Sequence, residues 1–356
     1  MAKDGPLLML RITWLTNWTS ISMRVSNEYF DGMSLTYASD EQEIPLIITA
    51  QDPTLSLSQW ASNNRDKINH LLSTYGAILF RNFDVNSSTA FERFVEQVSG
   101  SALRYTERSS PRKQVEGNIY TSTEQPKEES IFLHSEQSYN NQFPLKLFFY
   151  CAQAAEQGGE TPIADARDIL ASLPASVVEE FQRRKYRYAR YFWPMMGMTW
   201  QKVFQTEDPQ VVENYCKQND IEYQWMPDGA LKTHQIRATV ASHPDSGDRC
   251  WFNHCTFFNV STLAPHTQEI LLGSFAEDEL PNNTYYGDGS KIPDDVLDTL
   301  RAAYEDNKKE FTWQTGDVLM LDNLLMTHGR NPFSGDRKVL VAMSQTGHWQ
   351  ELEAKP

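Results

Sequence analysis

Two short stretches of this chain set a histidine two residues before a carboxylate: His134-Ser135-Glu136 and His243-Pro244-Asp245. On a strand, residues i and i+2 share a face, so both side chains can reach one ion. A second histidine from elsewhere would complete a 2-His-1-carboxylate iron site, which leaves three coordination positions open for reactants. With eight histidines and 47 acids in 356 residues, chance alone supplies about one such pair, so spacing by itself decides nothing. Context separates the two. His243-Pro244-Asp245 runs into Ser246-Gly247-Asp248, which is turn chemistry, and Pro244 would interrupt a central strand. That pair reads as a surface hairpin. His134 instead follows the apolar run Ile131-Phe132-Leu133 and reads as a metal pair or as a solvated strand end.

A partner for His134 and Glu136 stands near the C-terminus. The apolar run Val318–Leu321 leads through Asp322 and Asn323 to His328-Gly329-Arg330, and Arg337 opens the next apolar run, Val339–Met343. A histidine beside an arginine offers a metal ligand next to a cation able to grip a carboxylate through two parallel hydrogen bonds. Arg330 competes with Arg337 for that task. Arg337 is preferred because it begins a β-rich stretch that could hold its side chain in place. Between the two regions, Gln157-Gly158-Gly159-Glu160-Thr161-Pro162 reads as a tight turn carrying one hydroxyl, that of Thr161.

Elements must bring these residues together. Leu55–Leu72 and Ser88–Val98 carry apolar residues at helical spacing, as do Ala166–Phe181, Gln210–Gln218 and Asp294–Asp306. Short apolar runs bounded by Gly, Asp or Asn predict strands at Ala77–Phe80, Ile131–His134, Leu145–Tyr150, Arg249–Phe252, Val318–Leu321 and Val339–Met343. The reading is mainly β with flanking helices, a rolled-up antiparallel sheet and not a doubly wound fold. Residues 44–350 are expected to form a single domain with helical insertions, behind an N-terminal tail over 1–43. The apolar Leu7–Leu15 is far shorter than the roughly twenty residues that span a membrane.

Composition narrows the function. Forty per cent hydrophobic residues fill a sizeable core, and a net charge of −15 argues against nucleic-acid or anionic-membrane binding. Four cysteines without CxxC spacing fit a reducing cytoplasm. Arg183, Arg184, Lys185, Arg187 and Arg190 form a basic cluster interleaved with tyrosines, either a docking site for an acidic carrier protein or a solvated element end. Phe192, Trp193, Trp200, Trp251 and Phe252 read mostly as core. Asn253 is a candidate substrate contact, and His254, facing the other way on a strand, is left outside the site.

The ordered set His134-x-Glu136, Gly158-Gly159-Glu160-Thr161, His328-Gly329-Arg330 and Arg337 resembles the TauD/TfdA-type Fe(II)/2-oxoglutarate dioxygenases, in particular the clavaminate-synthase-like and SyrP-like branch. Tyr105–Arg112 and Trp200–Thr206 add to the likeness, which covers roughly residues 75–348. The resemblance implies a double-stranded β-helix (jelly roll) with His134, Glu136 and His328 as iron ligands. It also implies Thr161 and Arg337 as contacts of 2-oxoglutarate, with O2 as the other co-substrate. Arg330 and Asn253 are the candidate substrate contacts. The implied activity is hydroxylation of an amino acid, or of a carrier-tethered aminoacyl or peptide intermediate, in natural-product (antibiotic) biosynthesis. Retention of Glu136 favours hydroxylation or a related oxidation over halogenation. The alternatives are a catabolic oxygenase of a small sulfonate or carboxylate, weakened by Val341 in place of a second arginine, and a non-catalytic cupin-like metal-binding protein.

Overall fold

The computed structural model describes residues 29–39, 42–105, 107, 112–122, 125–194 and 197–354. The Leu7–Leu15 stretch, and Thr106 and Arg108–Pro111 of the Tyr105–Arg112 segment, lie outside the described residues. Alternation along the strands builds the architecture. In Ala77–Arg81, Ile78 and Phe80 pack on one face while Ala77 and Leu79 pack on the other. Phe148 and Tyr150 against Leu147, Phe149 and Cys151 repeat the pattern in Gln142–Gln153, as do Leu340 and Ala342 against Val339, Val341 and Met343 in Lys338–His348. Period-two burial on both faces means a sheet covered on both sides.

Among the described residues that sheet has eight strands, with Val318–Asp322 lying between Ala77–Arg81 and Gln142–Gln153. Helices Leu57–Tyr75 and Ser88–Ser99 cover one face. The second helix begins at Ser87, whose hydroxyl accepts from the Ala90 amide. Strand Met33–Ser39 pairs with Gln42–Ala50, so the sheet extends into the stretch expected as a tail. Opposite the other face stands a short three-stranded sheet in which Met326–Arg330 runs between Ile131–His134 and Ile163–Asp165.

Three expectations need correction. The predicted helix Ala166–Phe181 is two helices, Ala166–Ser172 and Ala175–Arg184. Pro174 separates them, because it disfavours helical backbone at Leu173 and lacks an amide. The region expected as helical insertions also contains a four-stranded antiparallel sheet of Ile221–Trp225, Leu231–Arg237, Tyr186–Phe192 and Asn282–Tyr286. Its central strand was masked by charge: Tyr186, Tyr188 and Arg190 turn inward, and Arg187 and Ala189 outward. The third concerns His243. Its hairpin is present, with Val240–Ser242 paired to Arg249–Trp251, but the imidazole is only 3% exposed and sits 3.1 Å from the Asp322 carboxylate.

Burial works against charge on His243, but the hydrogen bond and negative charge of Asp322 outweigh it and raise its pKa above 6.5. A raised folded value stabilises the protein fully below 6.5, and this contribution fades as pH rises through the folded value. Urea unfolding of the protein and of His243→Gln should therefore differ most near pH 6 and less by about pH 9. A difference that grows with pH contradicts this linkage.

Candidate active site

The register of the small sheet places His328 directly opposite His134. Gly329 permits that closeness: a Cβ there would lie 2.5 Å from the Ile131 carbonyl oxygen. The two imidazole centroids are 4.4 Å apart. Glu136 follows just beyond the strand end, and one ligand atom each from His134, Glu136 and His328 falls within 4.8 Å of the others. The His134 Nδ1 lies 2.8 Å from the Phe132 carbonyl. As a donor there, it fixes the tautomer and leaves Nε2 with a free lone pair. Burial, the largest cause, lowers the pKa of both histidines, and for His328 the neighbouring His134 and Arg112 add to it. Neutral imidazoles are what a metal requires. His328 Nδ1 is buried without a hydrogen-bond partner among the described residues.

Glu136 is held at both its ends. Its backbone amide donates to Asn323 Oδ1 at 2.8 Å, and Asn323 Nδ2 donates to the carbonyls of Glu136 at 2.9 Å and Pro144 at 2.7 Å. Its carboxylate accepts from Arg112 Nη2 at 2.8 Å, with both side chains buried. Neither Asn323 nor Arg112 was singled out in the sequence. The only signals were the Asp322-Asn323 pair after an apolar strand and the end of the Tyr105–Arg112 segment.

A narrow cavity opens beside the histidines, lined by Arg112, Ile131, His134, Phe149, Thr161, His328, Arg337, Val339 and Val341, among others. Thr161 and Arg337 thus meet the histidines there. Gly158 and Gly159 both have positive φ, and a Cβ on Gly159 would approach Arg337 Cδ to 2.9 Å. The glycine turn therefore makes room for the arginine. Arg337 Nε donates to the Gly159 carbonyl at 2.9 Å. Trp313 Nε1 donates to Thr161 Oγ1 at 3.1 Å, which leaves the threonine O–H to donate elsewhere. Burial, with the charge of Arg330 second, lowers the Arg337 pKa to about 10. Arg337 has no ion-pair partner among the described residues.

The other candidates are placed differently. Arg330 lines the cavity too, but its Nη1 and Nη2 donate to the carbonyls of Gln125, Pro126 and Glu129, so it straps a loop. Asn253 is 1% exposed; its Nδ2 donates to the Thr239 carbonyl and its Oδ1 accepts from the Cys255 amide. Each end thus makes one bond to backbone. His254, left out by strand alternation, lies 5.5 Å from the His134 ring, because the strand ends at Trp251 and the chain turns. Its Nδ1 is 2.6 Å from Ser138 Oγ.

The basic cluster is not one free patch. Arg183 and Arg184 pair with Glu180, Arg184 also with Asp288, Lys185 with Glu353, and Arg190 is buried against Glu107. Trp251, Phe252, Trp200 and Phe192 are core. No helix among the described residues is long and apolar enough to cross a membrane.

The family described as "Taurine catabolism dioxygenase TauD, TfdA family" matches residues 40–343. The chain is 40% identical over 297 residues to the dapdiamide synthesis protein DdaC of Enterobacter agglomerans, covering 83% of this chain and 90% of that protein. It is 30% identical over 305 residues to a clavaminate synthase-like protein of Arabidopsis thaliana, covering 82% and 89%. Among solved structures, PvcB of Pseudomonas aeruginosa superposes with a TM-score of 0.54 at 16% identity, covering 93% of this chain and 96% of that one. That likeness is one of fold.

Asn323→Leu removes three hydrogen bonds and leaves the Glu136 amide and two carbonyls unpaired. The expected loss is about 2–4 kcal/mol in urea unfolding, well above that of an ordinary surface change. A loss below about 0.5 kcal/mol means the clamp is not structural.

Proposed function

The chain belongs to the TauD/TfdA family of iron- and 2-oxoglutarate-dependent dioxygenases, and from that premise we propose that it hydroxylates an amino acid, free or tethered to a carrier protein, in natural-product biosynthesis. The observation that carries the reading is the convergence of His134, Glu136 and His328 at the wall of a cavity that also holds Thr161 and Arg337. In this reading the first three hold iron. Two neutral imidazoles and one carboxylate suit a ferrous ion and leave half of an octahedron open. Bound iron with 2-oxoglutarate and O2 supplies the oxidation, in which the keto acid loses CO2 to become succinate while a substrate C–H bond is hydroxylated.

The protein's own residues do the rest. The Arg337 guanidinium, without a carboxylate partner among the described residues, receives the distal carboxylate of 2-oxoglutarate, and the free Thr161 O–H adds a second donor. Phe149, Val339 and Val341 make the wall between them apolar, which keeps water from the reacting end. Phe132 and Asn323 orient His134 and Glu136 without touching the ion.

The substrate class rests on the likeness to DdaC, whose name places that protein in dapdiamide synthesis. A catabolic oxygenase remains the second reading, but Val341 presents an apolar side chain where a second arginine would grip a small anion. Four buried free cysteines support a reducing, cytoplasmic setting.

Anaerobic titration should find one Fe(II) per chain. Glu136→Ala should weaken that affinity at least about tenfold and abolish succinate formation from 2-oxoglutarate. Arg337→Met should raise the KM for 2-oxoglutarate about a hundredfold with Fe(II) affinity unchanged, as expected for one partner of a buried charge pair. Full activity in Glu136→Ala would remove that residue from the triad.

A further inference from the structure

Of the three arginines lining the cavity, Arg337 is given a ligand by the reading above, Arg330 straps a loop, and Arg112 is left with neither task. Its side chain is 5% exposed and its guanidinium lies 4.9 Å from the centroid of the Tyr105 ring. Nη2 is committed to Glu136. Nε and Nη1 are buried and have no hydrogen-bond partner among the described residues. A guanidinium presents five donors in a rigid fork, and buried N–H groups without acceptors are retained where something else completes them. Arg112 lines the same narrow cavity as Arg337 and Thr161. Its charge is balanced by Glu136 alone among its ion pairs. A dication bound by His134, Glu136 and His328 would share that carboxylate and leave Arg112 short of negative charge.

We propose that Arg112 is a second carboxylate seat, at the metal end of the cavity, so that 2-oxoglutarate is gripped by a guanidinium at each end. Arg337 takes the carboxylate distant from the keto group, and Arg112 takes the one beside it. The seat rests on the functional reading above for the identity of the ligand. It also explains why a cavity walled by Phe149, Val339 and Val341 holds both Arg337, which has no ion-pair partner among the described residues, and Arg112, which has two buried donors unpaired: an acid with a carboxylate at each end compensates both, and a monoacid only one.

The test uses the Mn(II)-loaded protein without O2, with 2-oxoglutarate and 2-oxovalerate, a keto acid lacking the distal carboxylate, as calorimetric probes. Arg112→Met should weaken both probes at least about tenfold and preserve the preference for 2-oxoglutarate, whereas Arg337→Met should erase that preference. Mn(II) affinity, read by the paramagnetic resonance of the free ion, should fall no more than about tenfold in Arg112→Met, the low end for a partner of a ligating carboxylate, and the probes are compared at saturating Mn(II). If that variant does not fold, Arg112→Lys serves instead. It keeps the charge but loses the fork, so both probes should bind about five- to tenfold more weakly than to the unaltered protein. Binding of both probes within twofold of the unaltered protein overturns the proposal, as does a loss matched by equal loss of Mn(II). Failure of the unaltered protein to bind 2-oxoglutarate at all would instead sink the functional reading.

Discussion

The antiparallel register between Ile131–His134 and Met326–Arg330 is the constraint from which the site follows. It joins residues nearly two hundred positions apart and sets His328 across from His134. Because strand side chains alternate, a slip of one residue would turn one imidazole to the other face. Gly329 and Asn323 guard the register from both sides. The glycine lets the two backbones approach, and the asparagine ties Glu136 to the end of the strand that precedes His328. The large sheet behind them, sealed by helices Leu57–Tyr75 and Ser88–Ser99, supplies the rigid wall.

The same packing concentrates charge in a place that disfavours it. Arg112, Arg337 and Arg330 all reach one cavity, and among the described residues only Arg112 has a carboxylate within ion-pair distance. Arg330 gives its Nη1 and Nη2 to carbonyls, which solvate a guanidinium without neutralising it, and its buried Nε has no partner among the described residues. Burying cations beside apolar side chains costs free energy unless they are paired, and of the three Arg112 alone has such a pairing among the described residues. In an acidic chain with a net charge of −15, these three arginines make a small region of opposite sign around one cavity.

Some of this was legible in the sequence and some was not, for physical reasons. His134, Glu136 and His328 could be singled out as candidates because two side chains on one strand can share an ion only at a short spacing, and apolar runs mark where strands end. Gly158 and Gly159 flagged the turn that the structure shows beside Arg337. Arg112 carried no comparable signal: its significance lies in an ion pair across 24 positions, reached through a segment with no periodicity. Asn253 drew attention as a polar residue among aromatics, and its side-chain amide makes bonds to the backbone of the turn after Trp251 that no local pattern announces. The Tyr186–Phe192 strand was hidden by inward-facing Arg190, whose charge is cancelled by Glu107 from a distant loop. Local pattern reveals elements and ligands; it does not reveal which buried charge finds which partner.

Diffraction at the iron absorption edge, from crystals grown with Fe(II) and 2-oxoglutarate in the absence of O2, tests the central claim most directly. The account predicts a single anomalous peak within bonding distance of one imidazole nitrogen each of His134 and His328 and one carboxylate oxygen of Glu136. A peak elsewhere, or one bonded to His134 and Glu136 with His328 turned away, would contradict it.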